Sequence, residues 1–176
     1  METLESKVIY EGKIFDIRID KVREGDVEYS RELVVHKGSA VILPVFDDET
    51  VALVRQYRHA AGKYLLEIPA GTLNSGEDPK LGAERELEEE IGVTSENIEL
   101  LSAFYISPGF LTEKMYVFIA TGLTATAQRL EEDEILTVER RSFEDLFEMI
   151  RTGRIEDSKT ISSILLAAPR FGKVFK

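Results

Sequence analysis

Glu86, Glu89 and Glu90 stand in the run ERELEEE at residues 84–90. On an α-helix, at about 100° per residue, positions i, i+3 and i+4 share one narrow face. Such a face offers what a hard divalent cation takes: several carboxylate oxygens, with coordination positions left for water and phosphate oxygens. The same spacing burdens the helix. Glu86 and Glu90 are like charges at i,i+4, which weakens a helix by about 0.2–0.5 kcal/mol. They also lie in its C-terminal half, where the macrodipole disfavours negative charge. Local conflicts of this kind gather at functional sites. A solvated acidic face is the competing explanation for a bare run of glutamates, and the surrounding sequence has to decide.

The element carrying these acids is the clearest helix in the chain. Asp78 is a good N-cap, Pro79 sits where its missing N–H costs nothing, and Gly92 is the expected C-terminal stop. Ahead of it, residues 7–37 read as extended structure, with a turn at Glu24-Gly25-Asp26 and a second strand from Val27 through Val35. Ala40 to Phe46 is almost wholly apolar, as in a strand buried on both faces. The Val51–Val54 strand ends in Arg55-Gln56-Tyr57-Arg58, and Lys63–Ile68 is a further short strand. Beyond the helix, strands are expected near Glu99–Ile106, Lys114–Thr121 and Ile135–Glu139. Ser142 caps a helix with the apolar stripe Phe143, Leu146, Phe147 and Ile150, ended by Gly153; a last helix spans about Ser158–Ala168, before Pro169. Many strands with one central helix and two late ones predict an α+β layered sandwich with a mixed sheet and a small N-terminal antiparallel β unit. The division expected is residues 1–38 for that unit and 39–176 for the main domain.

Composition narrows the functions open to this scaffold. The chain has 176 residues, 43% of them hydrophobic, enough to bury a core. It carries 33 acidic and 22 basic residues, a net charge of −11, which argues against a nucleic-acid partner. An anionic substrate must be met by local arginines or by bound cations. The absence of cysteine removes thiolate metal sites and cysteine nucleophiles, and a total of two histidines, His36 and His59, argues against a histidine-rich metal site. No apolar run approaches the roughly 20 residues of a membrane span. The opening METLESKVIYEGK lacks the apolar core of a signal peptide, so a cytoplasmic protein with no membrane partner is expected.

From Gly71 the sequence reads GTLNSGEDPKLGAERELEEEIGV. It resembles without a mismatch the Nudix box, GX5EX7REUXEEXGU with U aliphatic, at Gly71, Glu77, Arg85, Glu86, Leu87, Glu89, Glu90, Gly92 and Val93. Nine specified positions at fixed spacing shift the balance away from a solvated face. The resemblance implies an α/β/α sandwich with the box as loop–helix–loop, and a Mg²⁺-dependent hydrolase of nucleoside diphosphates, with Mn²⁺ as the alternative ion. It implies Glu86, Glu89 and Glu90 as metal ligands with the Ala70 carbonyl, and a Glu77–Arg85 salt bridge that orients loop and helix. Glu89 and Arg85 thereby join the catalytic set. A further carboxylate outside the box would act as general base; Glu134 is the first candidate, with Glu131 and Glu132 close behind.

Outside the box, Ser107-Pro108-Gly109 places Pro108 sixteen residues beyond Gly92 (108 − 92), which resembles the ADP-ribose pyrophosphatase branch. Arg55–Arg58 and Glu67-Ile68-Pro69-Ala70-Gly71 are similar to that branch as well. Its implied reaction is hydrolysis of ADP-ribose to AMP and ribose 5-phosphate, with ADP-glucose or GDP-mannose as alternative substrates. Arg58 and Arg55 are candidate diphosphate clamps, because arginine suits phosphate geometry, although a surface salt bridge fits Arg58 equally. In this branch the N-terminal unit helps form a homodimer and reaches the adenosine, which makes Arg31 and Glu32 candidate substrate contacts. Tyr29 and Phe15 are weaker candidates for stacking on adenine. A non-catalytic nucleotide sensor is the rival class, and three mutually repelling carboxylates argue against it. A DNA-binding regulator has no basic helix-turn-helix unit here to support it.

Overall fold

The computed structural model describes residues 1–130 and 134–176. At the N-terminus β1 (Glu2–Glu11), β2 (Phe15–Glu24) and β3 (Val27–His36) form an antiparallel sheet in chain order. The β2–β3 hairpin closes at Gly25, whose φ of +60° is natural for glycine. β1 begins at Glu2, five residues before the extended structure expected from the sequence. Its first residues are polar and exposed, so no apolar alternation announces them. Most of this sheet is exposed, with Asp20 and Val22 its buried members.

The main body continues with β4 (Ser39–Pro44), β5 (Thr50–Arg58), β6 (Lys63–Glu67) and β7 (Ala70–Thr72). Next come α1 (Pro79–Glu86), β8 (Val93–Tyr105), β9 (Lys114–Ala125), β10 (Leu136–Ser142), α2 (Phe143–Arg151) and α3 (Ser158–Ala167). One sheet runs β7-β4-β9-β8 and is mixed, because β4 pairs with β9 in parallel and the other pairs are antiparallel. The other runs β10-β5-β6, all antiparallel. β4 is the hub. Its six residues are all buried, and strand alternation splits them between two cores. Val41 and Leu43 pack with β5, β6, α2 and α3, while Ala40 and Ile42 pack with Ala83 of α1, Leu87 and Val93. The result is an α/β/α sandwich with α1 on one face and α2 and α3 on the other.

Caps explain where the late helices begin. The Ser142 hydroxyl accepts from the Asp145 amide at 3.1 Å, and a carboxylate oxygen of Asp157 accepts from the Thr160 amide at 2.9 Å. On α2, Met149 is buried beside Phe143, Leu146 and Phe147, whereas Ile150 at the stripe's end is only half-buried. After α3 the chain turns through Pro169 in a short 3₁₀ segment. There Phe171 stacks on Phe143 with ring centroids 5.4 Å apart. Among the described residues no helix is long and apolar enough to cross a membrane.

Phe143 is fully buried and anchors α2 between Phe147 and Phe171. Phe143→Ala is expected to lower unfolding free energy by about 3–5 kcal/mol. Urea denaturation checks this, and a loss below about 1 kcal/mol would contradict the packing described.

Candidate active site

The site is built where β6 ends and α1 begins. The Asp78 carboxylate accepts from the Lys80 amide at 2.8 Å, with Pro79 at the first helical position. Glu77, just before this cap, accepts from the Asn74 amide at 2.7 Å and from Arg85 Nε at 3.2 Å. The loop Asn74–Asp78 is thus tied to the helix it introduces. Arg85 also donates through Nη1 to Glu86 Oε1 at 2.6 Å and to Glu89 Oε2 at 2.9 Å. One guanidinium therefore gathers three box carboxylates.

The helix does not continue as α. From Leu87 to Ile91 it widens into a π turn and ends at Gly92 in the left-handed region, φ +71°. This departs from the regular α-helix that the sequence predicts, since nothing in residue type announces a π turn. π segments are rare and concentrate at functional sites. Here the widening falls between Glu86 and Glu90 and resets the spacing of the acids across one turn.

Burial then separates the three acids. Glu86 is 5% exposed and Glu90 2% exposed, while the Glu89 side chain remains part-exposed at 32%. A solvated acidic face is excluded for the first two. Glu86 lies against the backbone of β7, where a Cβ added to Gly71 would stand 1.7 Å from Glu86 Oε1. Glu90 Oε2 accepts from the Ala70 amide at 3.3 Å. Ala70 therefore meets Glu90 through its N–H.

Desolvation pushes the Glu86 carboxyl up to about 7, with Arg85 pulling it back and the charges of Glu89 and Glu134 raising it. Burial pushes Glu90 up to about 8, with the Glu86 and Glu134 carboxylates adding to the rise and the Ala70 amide and Arg58 opposing it. Glu134 is therefore within electrostatic reach of both buried acids. Glu131 and Glu132 lie outside the described residues.

Two buried acids with too little neighbouring positive charge form an oxygen-rich pocket suited to a hard cation. Among the described residues no three acidic or histidine side chains already enclose a metal position, and Arg85 occupies oxygens of Glu86 and Glu89. The donor chemistry fits a divalent ion, provided that Arg85 yields some of those oxygens.

The second buried acid system lies alongside. Glu67, 1% exposed, accepts from Arg58 Nε and Nη2, both at 2.8 Å, and from Lys159 of α3. Lys159 also pairs with Asp157 at 3.1 Å, and the Ile68 amide donates to Thr160 Oγ1 at 2.9 Å. Arg58 is thus held in a two-pronged ion pair beside the site. Arg55 stacks its guanidinium 4.1 Å from the centre of the exposed Tyr64 ring. Sequence reading misses this network, because Lys159 stands in the polar first turn of α3, between Ser158 and Thr160, where nothing in residue type marks it as buried.

The remaining candidates sit in and around the N-terminal sheet. Arg31 is exposed, 4.2 Å over the Tyr29 ring, and Glu32 is exposed beside it on β3. Tyr29 donates its hydroxyl to Glu24 at 2.9 Å, and Phe15 packs near Tyr10. His36 Nδ1 accepts from the Gly38 amide at 3.0 Å, a turn role. In the turn Ser107-Pro108-Gly109 the Ser107 carbonyl accepts from the amides of Phe110 and Leu111. β3 clasps residues 110–112 from both sides of Val34: its N–H donates to Phe110 O at 2.8 Å, and its carbonyl accepts from Thr112 N–H at 3.0 Å.

The fold and box geometry define a loop–helix–loop acidic site on an α/β/α sandwich. Comparison with known proteins agrees. The NUDIX domain model matches residues 36–163. An "ADP-ribose pyrophosphatase" of Bacillus subtilis (strain 168) is 36% identical over 166 residues, covering 93% of this chain and 90% of that protein. A "Methanol dehydrogenase activator" of Bacillus methanolicus is 35% identical over 166 residues, with the same coverage. A solved "ADP compounds hydrolase" shares the fold at a TM-score of 0.85 and 20% identity, covering 97% of this chain and 94% of that one. The chain belongs to the NUDIX family.

Two measurements test this geometry. Arg58 and Lys159 hold the Glu67 carboxyl below its ordinary value of 4.5 against the opposing effect of burial. The stabilisation is therefore complete above that value and lost as pH falls through the depressed folded one. Lys159→Met is expected to cost about 3 kcal/mol at pH 7, with the gap to wild type narrowing below about pH 4; a pH-independent gap would contradict the network. Gly71→Ala is expected to displace the Glu86 carboxylate, visible as a loss of calorimetric divalent-cation binding of at least about tenfold. Unchanged binding would show that Glu86 does not need that cradle.

Proposed function

We propose that this chain is a divalent-cation-dependent hydrolase that splits the diphosphate bridge of ADP-ribose. Water adds to one phosphorus, the bridging P–O bond breaks, and AMP and ribose 5-phosphate leave. The observation carrying this reading is the burial of Glu86 and Glu90 against Gly71 and Ala70. So costly an arrangement has no use in a chain that only folds. The similarity to a relative named ADP-ribose pyrophosphatase supports the substrate. A relative of nearly equal identity is named for activating a dehydrogenase, but a protein that acts only by binding has no need of the buried acids.

Glu86, Glu89 and Glu90, with the Ala70 carbonyl, are the residues that would hold the ion, and their all-oxygen donor set suits Mg²⁺, with Mn²⁺ as the alternative. When bound, such an ion supplies neutralisation of phosphate charge and an acidified water. Glu134 takes the proton of the attacking water. Arg85 holds Glu86 and Glu89 in register from the helix. Arg58, oriented by Glu67, presents its remaining N–H toward the diphosphate, and Arg55 is the outer contact. Residues 1–38 form a unit that pairs two chains and brings Arg31 and Glu32 to the nucleoside end, while Ser107–Gly109 adds a further substrate contact. The exposed apolar side chains Val8, Ile9, Tyr10, Ile14 and Phe15 support a dimer through this sheet.

Activity is read as AMP formed from ADP-ribose with and without Mg²⁺. Glu90→Gln is expected to lower kcat by at least about 100-fold. The metal-free Tm should stay level or rise, because burial already disfavours the charged form of Glu90 and the glutamine has no charge to desolvate. Undiminished turnover would overturn the ligand assignment. ADP-glucose and GDP-mannose compared by kcat/KM decide the sugar, and light scattering decides the dimer: a monomer would remove the role given to residues 1–38.

A further inference from the structure

The π turn ends beside an exposed segment, and that segment closes it. Thr126 N–H donates to Gly92 O at 2.8 Å, Arg129 N–H to Glu89 O at 3.0 Å, and Gln128 Nε2 to Glu90 O at 2.5 Å. Helix ends leave their last carbonyls without intrahelical donors, and here four consecutive residues supply three. Facing a carbonyl, the Gln128 amide must present its nitrogen. The contact also constrains the helix stop. A Cβ on Gly92 would stand 2.9 Å from the Gln128 backbone nitrogen, so glycine is needed for the close approach as well as for its φ.

We infer that Gln128 is a positioning residue for the acidic site: its side-chain amide caps the Glu90 carbonyl and so fixes the backbone from which the Glu89 and Glu90 carboxylates project. This rests on the functional reading above, in that those carboxylates are the cation ligands. The physical effect is twofold. The donors hold a widened turn that has lost regular α hydrogen bonding. They also offset the negative end of the helix dipole beside two acids that already repel each other. Gln128 is exposed and lies 35 residues beyond the end of the box (128 − 93), so residue type alone does not mark it.

The test uses the full chain with Gln128→Met, which keeps the shape and removes the donor, and Gln128→Glu, which turns an acceptor toward the carbonyl. Amide hydrogen exchange is measured over Glu89–Gly92 in the metal-free protein. Mn²⁺ affinity is measured by titration, and kcat and KM are measured with ADP-ribose. Both variants are expected to speed exchange there, to weaken Mn²⁺ binding by about tenfold and to lower kcat by about tenfold, with KM within about twofold. Because the residue is exposed, Tm should move by no more than about 2 °C. Wild-type exchange and wild-type Mn²⁺ affinity in both variants would overturn the inference. A wild type that binds Mn²⁺ but leaves ADP-ribose intact would overturn the substrate, with exchange and affinity still deciding the role of Gln128.

Discussion

Glu86 and Glu90 are withdrawn from water on one turn of helix, within reach of each other and against the backbone of β7. Burial opposes their ionisation, and the nearby charges of Arg85 and Arg58 are insufficient to reverse it. Much of the surrounding structure holds this unfavourable arrangement in place. Gly71 has no side chain where Glu86 must lie. Glu77 anchors Arg85, Arg85 gathers Glu86 and Glu89, and the segment Thr126–Arg129 closes the end of the turn. Each is a local accommodation of charge that the fold has concentrated.

Glu67 shows the opposite outcome for the same residue type 19 residues ahead of Glu86 (86 − 67). It is as deeply buried as Glu90, yet its carboxyl is held below the ordinary range because two cations satisfy both of its oxygens. The difference is compensation. A buried acid with a full set of cationic partners is a structural fastener, here joining β5, β6 and α3 just ahead of the Pro69–Ala70–Gly71 segment. A buried acid lacking them retains the capacity to take up an external cation. This contrast also explains the placement of Arg58, whose guanidinium is oriented by Glu67 rather than left mobile.

The N-terminal sheet is joined to the main body through a short parallel contact between β3 and residues 110–112. That contact reaches the turn at Ser107-Pro108-Gly109. His36 takes part through its backbone and its turn-forming ring.

Much of the fold was legible because its signals are local. The Asp78-Pro79 start, the Gly92 stop, the apolar run of β4 and the Ser142 cap act through neighbours in sequence, and hydrophobic periodicity carries the layers. The acids of the box were visible for the same reason: their spacing is fixed within one helix. What those acids do to each other was not. Whether Glu86 and Glu90 are buried depends on Gly71 and Ala70, whether Arg58 is free depends on Glu67 and Lys159, and the π turn is closed by Gln128 from far along the chain. Sequence alone determined which chemical groups are present and on which elements they ride. Tertiary structure alone decided which of them lose water and which gain partners, because desolvation and ion pairing are set by distance in space.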